Sequence, residues 1–290
     1  MPVEYRHSSP TEVGAFYDEV NRFLTRFQGG SMHYGYWTGP DDDSTFEQAA
    51  ERFTDIMAER LRVAPGDRVL DLGCGTGKPG VQVARSTGAH VVGISVSAKD
   101  VELANENARS SGLSDRAAFE RADALALPFP DDSFDAVLAF ESIVHIPDRS
   151  RVLAQIARVL KPGGRVALTD ALDKGRAMGD EDEHELAHSL SVFRAAPLVS
   201  LDDYRAFAAE AGLVVDELTD VSEHTRYTYV GVYEAIYEYL RDHGDEELSP
   251  EFQRIVELGP GPENLRWMKR MQDGGNEGVL LMAGHLPTAA

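Results

Sequence analysis

The stretch Val69-Leu70-Asp71-Leu72-Gly73-Cys74-Gly75-Thr76-Gly77 decides the fold. An apolar run ends in an aspartate, passes straight into three glycines at alternate positions, and gives way to an amphipathic segment from Gly80. The glycines let the backbone turn sharply and approach a ligand more closely than any residue with a Cβ permits. Strand, glycine-rich turn and helix open many nucleotide-type sites, and alone the pattern is shared with dinucleotide-binding folds. The carboxylate before the first glycine narrows the reading. Phosphates at such a turn need bare N–H donors, and a carboxylate repels them. Asp71 suits a cation, such as the ammonium of an aminoacyl tail.

Working outward, short β-branched runs alternate with amphipathic stretches, the pattern of βαβ units building a parallel sheet. Strands are expected at Arg68–Leu72, His90–Ser95, Ala117–Arg121, Phe134–Phe140 and Arg165–Asp170. Helices are expected at Gly80–Ser86, Ala98–Ser111 and Arg149–Leu160, then a helix at Leu201–Ala211 and strands at Val214–Thr219 and Glu277–Ala283. Three segments interrupt the alternation. Residues 10–61 read as two amphipathic helices around Gly29–Trp37, residues 171–200 as a polar acidic insertion, and residues 223–274 as an aromatic-rich helical insertion broken by Gly259-Pro260-Gly261-Pro262. Such insertions after strand carboxyl ends are where an open α/β sheet carries its ligand cover. The expectation is one domain over residues 1–290. Its core spans about 62–170, 201–222 and 275–290, and a helical lid is built from about 1–61, 171–200 and 223–274.

The glycine stretch resembles the first motif of the class I S-adenosylmethionine-dependent methyltransferases, and the resemblance continues in order along the chain. Ala122-Asp123-Ala124-Leu125-Ala126-Leu127-Pro128-Phe129 resembles the family's segment after the third strand, whose aspartate faces the adenine amine. Phe134–Phe140 resembles its fourth strand, and Val159-Leu160-Lys161-Pro162-Gly163-Gly164 its turn before the fifth. The resemblance implies a Rossmann-like, seven-stranded, mostly parallel sheet with helices on both faces. It implies S-adenosylmethionine as cofactor, held by Asp71, Gly73, Cys74, Gly75, Gly77, Ser95, Ala122, Asp123, Ala124 and Phe140. Many relatives end the second strand with an acidic residue on the ribose hydroxyls, but Ile94-Ser95-Val96-Ser97 has none. Asp100 either reaches back to the ribose, where a carboxylate accepts from both hydroxyls, or is a favourable charge at a helix start. Cys74 within the loop reads as a small residue filling the turn, since no histidine adjoins it in sequence.

Methyl transfer from a sulfonium is an in-line displacement that needs alignment above all, and a hydroxyl acceptor gains from a base. Two ionisable residues follow strand carboxyl ends. His145 lies in Phe140-Glu141-Ser142-Ile143-Val144-His145-Ile146-Pro147, and Asp170 ends Ala167-Leu168-Thr169-Asp170. Both match positions where sugar and natural-product O-methyltransferases carry their proposed bases, so both are expected as catalytic residues. The competing readings are a wall of the cofactor's methionine arm for His145 and a cap or loop hydrogen bond for Asp170. Many of those relatives have paired histidines, and Val144 stands at the first position here. Met32-His33-Tyr34-Gly35-Tyr36-Trp37 also resembles this subgroup, which makes Tyr17 and Tyr34 cofactor contacts or core aromatics. His184-Glu185-Leu186-Ala187-His188 has the spacing of a zinc motif, yet it sits in an acidic insertion without a third ligand, and no metal is expected. Tyrosines 227, 229, 233, 237 and 239 form a stripe, with Tyr229 or Tyr233 as candidate pocket residues.

Composition bounds the partners. The chain has 290 residues, 42% hydrophobic and 27% charged, an ordinary folded mixture. With 28 basic and 49 acidic side chains the formal charge is −21, which disfavours nucleic acid and anionic membranes. One cysteine excludes an internal disulfide, and no apolar leader stands at the first residues, so a cytoplasmic protein is expected. The function expected is transfer of a methyl group to a hydroxyl of a small natural product of glycoside, polyketide or macrolide type. Carbon or nitrogen methylation, or a cyclase on the same fold, are the alternatives. A homo-oligomer through lid helices is compatible with the pattern.

Overall fold

The computed structural model describes residues 7–27, 30, 31, 33–243, 253, 254 and 275–288. Two helices lead, α1 (Pro10–Phe27) and α2 (Phe46–Leu61). The alternation that follows is β1 (Arg68–Leu72), α3 (Lys78–Thr87), β2 (His90–Ser95), α4 (Ala98–Ser110), β3 (Ala117–Arg121), β4 (Phe134–Ala139), α5 (Arg149–Val159) and β5 (Leu160–Asp173). Beyond it come α6 (Asp180–Val192), α7 (Leu201–Glu210), β6 (Val214–Asp220), α8 (Ser222–Thr225), α9 (Tyr227–His243) and β7 (Glu277–His285).

The strands form one seven-stranded sheet in the order β3-β2-β1-β4-β5-β7-β6. β1 pairs in parallel with both β2 and β4, and only β7 runs antiparallel, between β5 and β6. The chain therefore winds one way from β1 to β3 and the other way from β4 onward. The switch point lies between β1 and β4, and the crevice at their carboxyl ends is where such sheets take ligands.

Both faces of the sheet are covered, which is why the central strands are nearly continuous apolar runs. Val69, Ala136, Leu138 and Ala167 pack under Phe53, Met57 and Leu61 of α2, Val83 and Ala84 of α3, and Ala104 of α4. Leu70, Val137, Ala139 and Leu168 pack on the other face against Val152, Leu153 and Ile156 of α5 and Tyr204 of α7. α2 is thus a core helix. Its amphipathic pattern fits a lid as well as a core layer, and packing assigns it to the core, with Phe53 and Met57 fully buried. Of the two leading helices α1 covers the crevice, joined by His33 from the segment between them. Gly14 lets it approach closely, since a Cβ there would stand 2.8 Å from the Val96 carbonyl oxygen. Asp18 then accepts from Ser97 Oγ at 2.6 Å and from the Lys99 N–H at 3.1 Å, tying the helix to the start of α4.

β5 runs three residues past the expected end and β7 matches it along Arg165–Asp173, so the antiparallel pair extends the sheet beyond the crevice. Residues 180–192 of the acidic insertion form α6, and the aromatic insertion begins as α8 and α9. The Gly259–Pro262 break lies outside the described residues. Among those described, no helix is long and apolar enough to cross a membrane.

Candidate active site

A cavity of about 310 Å³ opens at the β1–β4 switch point. Its floor is the glycine turn. Gly73 has φ +77°, and a Cβ there would lie 2.2 Å from the Ser142 Cβ, so the position tolerates neither the conformation nor the volume of another residue. Ser142 Oγ in turn donates to the Leu72 carbonyl, which binds the loop after β4 to the end of β1. The Gly73 and Cys74 N–H groups are spent on the Ile94 carbonyl at 2.9 and 2.8 Å, so this turn is not a bare cradle for phosphate.

The Asp71, Asp100 and Glu141 carboxyls line the cavity. Asp71 is 2% exposed, its Oδ2 has no partner, and burial pushes its carboxyl up to about 7. Asp100 accepts from Ser95 Oγ at 2.9 Å on one oxygen and leaves buried Oδ1 unpartnered. Its carboxyl is likewise raised by burial to about 7. The cap of α4 is the Ser97 hydroxyl, which accepts from the Asp100 N–H at 3.0 Å. The Asp100 side chain is therefore turned to the cavity and does not cap the helix. Glu141, the residue after Phe140, has a third orphaned oxygen, Oε1, and burial raises its carboxyl to about 8. Among the described residues, no Lys or Arg lines this cavity. Buried carboxyls without cations are costly, and a ligand bearing cationic and hydroxyl groups relieves all three.

A second cavity of about 130 Å³ lies alongside, walled by apolar side chains of α6 and α9, including Leu190, Phe193, Val232 and Ile236. Tyr17, His33, Glu141 and His145 line both cavities and mark where they meet. At that junction the Tyr17 hydroxyl lies 2.6 Å from His145 Nε2, and His145 Nδ1 lies 3.1 Å from the Arg194 carbonyl oxygen. A carbonyl only accepts, so Nδ1 carries the proton and Nε2 accepts from Tyr17. Burial holds the imidazole down to about 4 and pushes the Tyr17 phenol up. His33, stacked on Phe140 with 3.9 Å between ring centres, is also held neutral by burial.

Of the expected cofactor contacts, Asp71, Gly73, Cys74, Gly75, Ser95, Asp100, Ala122, Asp123, Ala124, Phe140 and Tyr17 line the larger cavity. Two do not. Gly77 packs against α4, where a Cβ would meet the Ala104 Cβ at 2.7 Å, so it shapes the turn without lining the cavity. Tyr34 lines the smaller cavity. Of the expected bases, His145 is at the junction and Asp170 is elsewhere. Asp170 is fully buried, accepts from Arg149 Nε at 3.0 Å, from the Tyr204 hydroxyl and from the Ala171 N–H at 2.7 Å, and lines neither cavity. Its lone pairs are committed to a structural cluster, which removes it as a base. His184 and His188 line neither cavity, and the described residues contain no group of three or more side chains placed to hold a metal. Tyr233 is buried in the smaller cavity, whereas the side chains of Tyr229 and Tyr237 lie outside the described residues. Glu141, His33 and Glu277 were not expected. The one local signal for Glu141 was its place directly after a central strand.

A family model described as a methyltransferase domain matches residues 64–200. The chain is 43% identical over 235 residues to the methyltransferase GfsG of Streptomyces halstedii, covering 81% of this chain and 84% of that one. This chain belongs to the class I S-adenosylmethionine-dependent methyltransferases. It is also 43% identical over 234 residues to the 27-O-demethylrifamycin SV methyltransferase of Amycolatopsis mediterranei strain S699, covering 81% and 85% of the two chains. Among solved structures it is similar to the [4+2]-cyclase SpnF, with a TM-score of 0.81, 30% identity and 98% of each chain covered. The cofactor of this methyltransferase is S-adenosylmethionine, and the orphaned carboxyls and the Gly73 turn fit it. Asp71 would meet its ammonium and Asp100 its ribose hydroxyls.

Proposed function

We propose that this methyltransferase moves the methyl group of S-adenosylmethionine to a hydroxyl of an apolar-bodied natural product of polyketide or macrolide type. The observation that carries the reading is the junction itself. A cavity lined by the Asp71, Asp100 and Glu141 carboxyls meets a second cavity at Tyr17, His33, Glu141 and His145, so a sulfonium methyl and an acceptor oxygen approach each other beside polar groups able to orient an O–H. When bound, the cofactor supplies an electrophilic methyl. The chain supplies alignment, exclusion of water and somewhere for the proton to go. His145 fixes the Tyr17 hydroxyl through Nε2, which leaves the phenol oxygen's lone pairs free to accept from the acceptor hydroxyl. The relative that acts on a demethylrifamycin supports a polyketide hydroxyl as acceptor.

The likeness to a cyclase supports a second reading, in which the fold binds the cofactor and closes a ring without methyl transfer. One experiment separates them. The enzyme is incubated with trideuteromethyl-labelled S-adenosylmethionine and a panel of hydroxylated macrolides and their O-methyl analogues, and products are read by mass spectrometry. A labelled methyl on oxygen, absent when the hydroxyl is already methylated, is the expected result. Conversion of substrate with no label gained would establish the cyclase reading, and label on carbon would move the acceptor atom.

A further inference from the structure

Asp71, Asp100 and Glu141 line the larger cavity, and each carries a buried carboxyl oxygen without a partner. Besides its carboxylate and its adenine, the cofactor offers an ammonium, a ribose diol and a sulfonium. Asp71 and Asp100 answer the first two. Glu141 alone of the three also lines the smaller cavity, so it lies where the methyl must face the acceptor, one bond from the sulfonium. Its backbone is in the left-handed region at φ +51°, which a side chain adopts at a cost. The Thr169 hydroxyl holds it there by accepting the Glu141 N–H at 3.0 Å.

Resting on the reading of the site above, we propose that Glu141 is the sulfonium's counter-charge and the destination of the acceptor's proton. Before transfer Glu141 is a carboxylate beside a cation. As the acceptor oxygen forms its bond to the methyl carbon, the carbon–sulfur bond breaks and its electron pair stays on sulfur. The acceptor O–H proton passes to the carboxylate of Glu141. One cation and one anion disappear together, so the buried site carries the same net charge throughout. His145 suits the task less well, because its Nε2 lone pair is already engaged by Tyr17.

The surroundings of Glu141 agree. Thr169 and Asp170 face it from β5, Glu277 from β7, Tyr17 from α1, and neutral His145 and His33 complete the junction. Among the described residues, no Lys or Arg lines either cavity. The carboxyl is driven towards its protonated form by burial and by the neighbouring carboxylates. A sulfonium in contact reverses this, since an opposite charge within a few ångströms lowers a carboxyl pKa by roughly one to three units. Loss of that charge restores the affinity for a proton at the moment when one is released.

Calorimetry on the intact enzyme tests this without turnover. S-adenosylmethionine and S-adenosylhomocysteine share the ammonium and the ribose and differ in the sulfonium. Each is titrated into wild type and Glu141→Gln at pH 7.5, in two buffers of different ionisation enthalpy, so that the protons released on binding are counted. Wild type is expected to release more protons on binding the sulfonium than the thioether. Glu141→Gln is expected to erase that difference, to weaken S-adenosylmethionine at least about tenfold, and to leave S-adenosylhomocysteine within about twofold. Equal proton release by wild type for both ligands, or equal weakening of both by the variant, overturns the inference. The wild-type comparison decides alone if the variant does not fold. If neither ligand binds wild type, the cofactor assignment of the cavity fails first and takes the inference with it.

Discussion

Asparagine in place of Asp170 separates a base from a structural counter-ion. The Arg149 side chain is 1% exposed and the Asp170 side chain 0%, and the guanidinium lies 3.0 Å from Oδ2. The Tyr204 hydroxyl donates to the same oxygen and the Ala171 N–H to the other. Asp170→Asn keeps the volume but leaves a guanidinium charge buried and uncompensated. Breaking such a pair on one side costs about 3–5 kcal/mol. For a chain of this size each kcal/mol moves the melting temperature by about 2 °C, which gives a fall of roughly 6–10 °C. Thermal melting and the turnover number per folded molecule, both measured well below the variant's transition, check it. Turnover is expected to stay within about tenfold of wild type, where loss of a true base would cost about 10²–10⁴-fold. The triple change Arg149→Met, Asp170→Leu, Tyr204→Phe removes the whole cluster and is expected to recover most of the lost stability. Wild-type melting with turnover down a thousandfold would refute this and return Asp170 to the chemistry.

Gly73→Ala forces a Cβ into the left-handed region and to 2.2 Å from the Ser142 Cβ. A loss of about 2–4 kcal/mol is expected, with cofactor binding undetectable by calorimetry; normal binding would contradict the site. Tyr17→Phe and His145→Ala should each lower turnover about 10- to 100-fold while leaving cofactor affinity within about threefold. Equal loss of both quantities would make the pair a cofactor wall. The ligand-free protein should melt at falling temperature as pH rises from 6 to 8. Asp71, Asp100 and Glu277 are raised to about 7 and Glu141 to about 8, so the folded state holds protons that the unfolded state has lost, and stability falls as they leave. A flat or rising melting temperature across that window would contradict the burial of these carboxyls.

The sheet was legible because its strands are buried on both faces. Val69–Leu72 and Phe134–Phe140 are apolar nearly without a break, and the glycines after β1 announce the turn. Most residues lining the larger cavity followed, since they sit within a few positions of strand ends that the pattern locates. What stayed hidden depends on contacts made far along the chain. Asp170 reads as a strand-end carboxylate until Arg149 and Tyr204, 21 and 34 residues away, are found on it. Glu141 looks like any acid after a strand until its left-handed backbone and orphaned oxygen place it between two cavities. The smaller cavity draws on α1, the His33–Tyr34 segment, α6, α9 and the start of β7, so no local run of residues encodes it. α2 carries an amphipathic stripe equally suited to a lid or to a core, and packing alone decided.

The central claim is that this crevice holds a sulfonium amino acid and not a nucleotide diphosphate. Calorimetric titration of wild type and Asp71→Ala with S-adenosylmethionine and with NAD tests it most directly. One S-adenosylmethionine per chain, no detectable NAD, and a loss of at least about tenfold for Asp71→Ala, the scale of a lost charge-assisted hydrogen bond, are predicted. Saturable NAD binding, or unchanged S-adenosylmethionine affinity without Asp71, would contradict it.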